Sequence, residues 1–171
     1  MTRRLVGLAL GTGLALATGA CGFRPLYGEI GGKPGGQAVF DSIYVDTIPV
    51  ERIGFELRNN LIGVLQGSAR PEGAKYRLEV TTSQGLEGIA VEPNASVTRY
   101  NFNLVAHYAL SDIHTGAVLD HGVETTLSEY DVVSSPYSTL VAQQAAQQRA
   151  TEDIANRIRV DLAVYFHNRA K

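Results

Sequence analysis

Between Arg99 and Ser111 the chain alternates without a break. Tyr100, Phe102, Leu104, Ala106, Tyr108 and Leu110 occupy one parity, and Arg99, Asn101, Asn103, Val105, His107 and Ala109 the other. A period of two predicts a strand with one face buried and one face polar. Lys75 to Thr82 repeats the pattern, with Tyr76, Leu78 and Val80 set against Lys75, Arg77 and Glu79. Ala117 to Tyr130 reads the same way, with Leu119, Val123 and Leu127 on the buried parity and Asp120, Glu124, Thr126 and Ser128 on the other. The link Ser111-Asp112-Ile113-His114-Thr115-Gly116 is rich in turn formers and predicts a hairpin. Phe40, Ile43, Tyr44 and Val45 are β-formers and predict a first strand over 39–48, stopped by Pro49. Residues 83–96 carry Gly85, Gly88, Pro93 and Asn94 and read either as a strand extension or as a mobile loop.

The period changes in two places. From Glu51 to Gln66, Ile53, Leu57, Leu61, Val64 and Leu65 fall at helical spacing with polar residues between them, and Gly67 and Pro71 close the segment. Ser135-Pro136 looks like an N-cap followed by proline at the first helical position. A long helix is expected from there to about Asn168, with Ile154, Ile158, Leu162 and Tyr165 on its apolar stripe and smaller residues in its first half. The predicted fold class is α+β: a single four-stranded, mostly antiparallel sheet with two helices on one face, in the order β-α-β-β-β-α. Leu57, Leu61, Leu78, Leu104, Leu119, Ile154 and Ile158 are expected in the core.

The N-terminal residues follow a different rule. Arg3 and Arg4 precede a mostly apolar run from Leu5 to Ala17, which suits a signal peptide and is too short to span a bilayer. Thr18-Gly19-Ala20 are small, and the chain's one cysteine, Cys21, comes next. A lone thiol cannot form an internal disulfide. Its place at the end of an apolar leader resembles the bacterial lipobox, in which the cysteine takes a diacylglycerol and becomes the first mature residue. Thr18 stands where the lipobox usually has leucine, so an ordinary secretory signal beside a chance cysteine is the alternative. A reactive thiol would need a base and a packed pocket, which this Gly/Pro-rich segment does not supply. The expected organisation is a leader over 1–20, a lipid anchor and flexible tether over 21–37, and one domain over 38–171. Losing Arg3 and Arg4 with the leader takes the net charge from −2 to −4. A weakly acidic domain is not a general nucleic-acid binder.

Candidate chemistry is sparse. Three ligands must converge on one metal ion. His107 falls on the polar parity, His121 on the apolar parity of the next strand and His114 in the turn, so these histidines are expected to be solvated or capping. Glu124, Glu129 and Asp131 read as a solvated sheet face. The chain has no G-x-S-x-G, P-loop or C-x-x-C. No enzyme activity, cofactor or metal is expected.

Several stretches taken together resemble the lipopolysaccharide-assembly lipoprotein family LptE. The most specific is Cys21-Gly22-Phe23-Arg24-Pro25-Leu26-Tyr27. Tyr76-Arg77-Leu78, Thr98-Arg99, Tyr108-Ala109-Leu110 with the Asp112/Thr115-Gly116 turn, Gln148-Arg149-Ala150 and Asp153-Ile154-Ala155 agree with it more loosely. The resemblance implies a lipoprotein of the Gram-negative outer membrane that plugs the LptD β-barrel and helps deliver lipopolysaccharide to the outer leaflet. It implies two partners, LptD and lipopolysaccharide. Lipopolysaccharide carries phosphates, for which guanidinium is a suitable donor, and Arg99 is the residue to expect at such a contact. An edge charge that blocks aggregation is an equal reading of Arg99. The strand 117–130 holds no Lys or Arg, so a second basic contact would fall to Lys75 or Arg77. A lipid-anchored subunit of another envelope transport system and a small envelope enzyme are the alternatives.

Overall fold

A computed structural model describes residues 39–49, 51–65, 73–91 and 97–169. The leader, Cys21 and the tether lie outside these residues, as do Gly67, Pro71 and the 92–96 segment. The elements run β1 (Ile43–Val45), α1 (Glu51–Leu65), β2 (Tyr76–Val91), β3 (Val97–Asp112), β4 (Val118–Asp131) and α2 (Pro136–Arg169). They form one sheet of order β1-β2-β3-β4 with both helices on one face, the α+β arrangement expected from the periodicities. β1 pairs with β2 in parallel, and α1 supplies the crossover that a parallel pair requires. The other two pairings are antiparallel.

Three features that the sequence pattern placed differently or left open have local causes. The first strand is only three residues long. Val39 and Phe40 have helical backbone, and Ser42 closes the turn by donating to the Val39 carbonyl from its amide (3.1 Å) and its hydroxyl (2.7 Å). Residues 83–91 extend β2, because Ser83 to Gly88 find partners from Val105 to Tyr100 on β3. The third feature is a correction to β4. Leu110 pairs with Asp120 while Ser111 pairs with Val118, so Leu119 is an extra residue in the ladder. Slipping one residue exchanges the two faces of a strand. Beyond the bulge Glu124, Thr126, Ser128 and Tyr130 therefore face the helices, and Val123 and Leu127 face out, 53% and 63% exposed. Leu119 is half-buried at the rim of the core rather than inside it.

The core forms where the helical stripes meet the even-numbered parity of β2 and β3. Leu57, Leu61 and Leu65 of α1, Ile154, Ile158 and Leu162 of α2, and Leu78, Leu104 and Leu110 of the sheet are fully buried. The helices lie side by side, joined by Asn60 Nδ2 donating to Thr151 Oγ1 (3.0 Å) and by an Arg52 guanidinium donating to Gln147 Oε1 (2.8 Å). α2 lies mainly over β4. The β3–β4 hairpin is closed by an Asx turn. Asp112 Oδ1 accepts from the amides of His114 and Thr115, both at 2.9 Å, which holds its carboxyl below the usual carboxylate range. Gly116 takes the left-handed conformation at φ 70° that this turn needs. Among the described residues, no helix is long and apolar enough to cross a membrane.

Candidate functional site

Two surfaces differ from an ordinary solvated exterior. One is the sheet face that no helix covers. The other is the seam where the edge strand β4 meets α2.

The open face is built from the parity that points away from the helices. Its rows across β2, β3 and β4 are Thr81-His107-Val123, Ser83-Val105-Thr125, Gly85-Asn103-Leu127 and Glu87-Asn101-Glu129. Small polar side chains dominate, with Val105, Val123 and Leu127 as an apolar strip among them. The carboxamide oxygens of Asn101 and Asn103 are shielded from solvent and take no hydrogen bond from the described residues. Such atoms lower their energy only when a donor is brought to them. His107 and His121 both lie on this face and are exposed, so the register also corrects the parity expected for His121.

Arg99 sits at the far end of the face, at the start of β3. Its Nε donates to Asp131 Oδ1 at 2.6 Å, and its second guanidinium nitrogen lies 3.9 Å from Glu129 Oε2. The hydrogen bond and the charge of Asp131 raise the Arg99 pKa, and the same bond lowers that of Asp131. Glu129 and Asp131 are thus on the solvated face, as expected, but as partners of Arg99. Arg77 is at the opposite end, 3.7 Å from both Asp46 Oδ2 and Glu79 Oε1 and against the Tyr44 ring. Lys75 is exposed just before it. In the β2 register Arg99 stands beside Ala90, thirteen positions from Arg77. At strand rise that is about 40 Å. The structure therefore does not gather Lys75, Arg77 and Arg99 into one anion site.

The seam holds residues that periodicity had placed elsewhere. Thr126 Oγ1 donates to Asp153 Oδ2 at 2.6 Å and Arg157 Nε to the same oxygen at 2.9 Å, which together hold the Asp153 carboxyl below its ordinary range. Tyr108 crosses Gly122 and donates to Asp161 Oδ2 at 3.2 Å. A Cβ on residue 122 would stand 2.7 Å from that ring, so a larger residue there must displace the tyrosine. Burial and the Asp161 charge push the Tyr108 phenol up. Burial first, then a hydrogen bond and the charge of Asp161, raise the Glu124 carboxyl. Asp120, Glu124, Asp153 and Asp161 thus share one seam. The expectation of Glu124 on the solvated face is corrected by the bulge at Leu119, which only the register reveals. Among the described residues of these two surfaces, no nucleophile is hydrogen-bonded to a histidine base.

The comparisons with known proteins agree with this architecture. An uncharacterised protein of Rickettsia prowazekii is 27% identical over 148 residues, covering 86% of this chain and 89% of that protein. A candidate lipoprotein from Caulobacter crescentus has a similar fold at a TM-score of 0.64, with 24% identity over 78% of this chain and 96% of its own. The rare lipoprotein B of Shewanella oneidensis is similar at a TM-score of 0.57, with 11% identity over 75% of this chain and 98% of that one. The family model described as lipopolysaccharide-assembly, LptE, matches residues 40–167, which span every element from β1 to α2. The chain belongs to the lipopolysaccharide-assembly family LptE.

Proposed function

We propose that this chain is an outer-membrane lipoprotein, anchored through Cys21, that plugs the LptD β-barrel, assists its assembly and takes part in moving lipopolysaccharide to the outer leaflet. The family match over 40–167 carries this reading. The open face supports it: a body inside a barrel meets a polar lumen, and the face presents Thr81, Ser83, Thr125, Asn101 and Asn103. The role is non-catalytic. Lipopolysaccharide phosphates would meet the Arg99 end, where they must compete with Asp131 for the guanidinium.

The test is affinity purification of the full chain from detergent-solubilised outer membranes, with intact mass measured on the same sample. LptD in stoichiometric amount and a lipid adduct at Cys21 are expected. Recovery with no outer-membrane barrel would move the assignment to an accessory subunit of another envelope system. An unmodified mature chain starting elsewhere would remove the anchor. Arg99→Glu should leave barrel recovery unchanged and weaken binding of purified lipopolysaccharide by about tenfold, the effect of one charge-assisted contact. Unchanged lipid binding would take Arg99 out of the mechanism and leave the plug.

A further inference from the structure

β4 is the outermost strand of the sheet, and it is long: fourteen residues, Val118–Asp131. An end strand carries a row of backbone donors and acceptors with no neighbour in the sheet. The direction of that row follows from one hydrogen bond. The Val132 amide donates to the Thr98 carbonyl at 2.9 Å, and those residues continue the β3–β4 register. Residues directly opposite that bond one another form a narrow pair, and narrow pairs alternate along an antiparallel ladder. The even residues of β4 beyond the bulge therefore turn their backbone groups to β3. The odd residues His121, Val123, Thr125, Leu127 and Glu129 turn theirs outward. The Glu129 carbonyl confirms the direction, because an Arg149 guanidinium of α2 donates to it at 3.0 Å.

Edge strands are usually blunted by lysine, proline, bulges or a covering element. β4 has no Lys, Arg or Pro, its bulge is confined to its first residues, and Arg149 covers only its far end. From His121 to Leu127 no other strand among the described residues pairs with the edge. Its two sides differ in chemistry. On the open sheet face Val123 and Leu127 are exposed at alternate positions. On the helix side the flank of α2 away from α1 overhangs a groove of about 360 Å³, which includes Glu124, Arg157, Val160 and Asp161. At Asp161 it meets a second hollow of about 590 Å³ that reaches Asp120 and Val164. Two bases, Arg157 and Arg169, also line these hollows; Arg157 is engaged by Asp153 and Arg169 by the Tyr165 hydroxyl, and Asp120, Glu124 and Asp161 still leave an excess of negative charge.

We propose that the β4 edge from His121 to Leu127 accepts one extended strand of a partner protein, with basic side chains turned into the β4–α2 groove and apolar side chains turned to the Val123–Leu127 side. Main-chain bonds to the outward groups of Val123, Thr125 and Leu127 supply the docking, and the alternating side chains supply the selection. This inference does not rest on the barrel-plug assignment. It needs only the edge, the strip and the groove.

The test uses the full chain and three blocked nine-residue probe peptides: one alternating Lys and Val, the same peptide N-methylated at alternate amides, and one alternating Glu and Val. Amide hydrogen exchange and chemical shifts are followed on the protein. The Lys/Val peptide should protect the amides of Val123, Thr125 and Leu127 and lower the titration midpoint of Glu124, while the other two should not. Thr125→Pro removes one outward N–H where proline is tolerated, since that amide does not serve the β3 ladder. It should weaken the peptide by about tenfold with β3 protection intact. Asp120→Asn with Glu124→Gln should abolish the preference for the basic peptide. Equal binding by the N-methylated peptide would show charge attraction alone and overturn the proposal, as would no protection at millimolar peptide. Concentration-dependent protection of the same amides without peptide would give the edge to a second copy of this chain instead.

Discussion

The corrected face of β4 can be tested by two leucine truncations, one on each side of the sheet. Leu104 on β3 is fully buried, and Leu127, beside Asn103, is 63% exposed. Leu104→Ala removes apolar atoms worth roughly 2 kcal/mol in transfer. It also leaves a cavity between two helices and a sheet that cannot collapse freely, which brings the cost to about 3–4 kcal/mol. Leu127→Ala forfeits only the shielded third of the same transfer, so its cost is below about 1 kcal/mol. Urea unfolding of the full chain reads both. The midpoint should fall sharply for Leu104→Ala and barely move for Leu127→Ala, with the slope unchanged in each case. A loss above about 2 kcal/mol for Leu127→Ala would mean that it is a core side chain, and the register that begins at the Leu119 bulge would be wrong.

Gly122→Ala would drive a Cβ into the Tyr108 ring at 2.7 Å. It should cost about 1–3 kcal/mol in thermal or urea unfolding, and a paired Tyr108→Leu should recover part of that loss. The seam also predicts two opposite pH slopes. Asp153 has a lowered folded-state pKa, so its contribution is present above the unfolded value of about 3.9 and is lost as pH falls through the folded value. Glu124 has a raised folded-state pKa in the company of Asp161, Asp153, Arg157, Asp120 and Tyr108. Its penalty is absent below about pH 4.3 and grows as pH rises through the folded value. Urea midpoints from acid to neutral pH should therefore show Glu124→Gln gaining on the wild type as pH rises. Asp153→Asn should lose its disadvantage as pH falls. Parallel curves for all three proteins would show that neither carboxyl is perturbed by folding.

Much of the fold was legible because its elements obey single periods. The α1 stripe of Leu57, Leu61 and Leu65 is buried where the 3.6 spacing put it, and β3 keeps one strict alternation from Phe102 to Leu110. β4 misled for two physical reasons. One inserted residue at Leu119 carries no mark in composition, yet it reverses every side chain after it. The helix above β4 also asks for little bulk. α2 places Ala146 and Ala150 in its buried stripe, so small polar residues fit beneath it. Thr126 is accepted there because its hydroxyl donates a hydrogen bond to Asp153 at 2.6 Å. An alternation of apolar and polar residues is then a poor guide, since the helix side of β4 is the more polar one.

The candidate site was less legible, because its chemistry is made by partners distant in sequence. Arg99 stands out in the chain as a lone base opening a strand. Only the register brings Asp131 and Glu129, thirty-two and thirty positions later, onto its guanidinium. That pairing changes what the residue can do. A bare guanidinium would attract any phosphate, whereas one held by two carboxylates responds only to an anion that competes for its hydrogen-bonding fork. The groove under α2 has the same origin. Asp120 and Glu124 come from the strand and Asp153 and Asp161 from a helix about thirty residues on, and no spacing rule connects the two sets. Their grouping follows from α2 crossing β4 rather than β2, which places the acidic flank of the helix beside a long edge strand of the sheet.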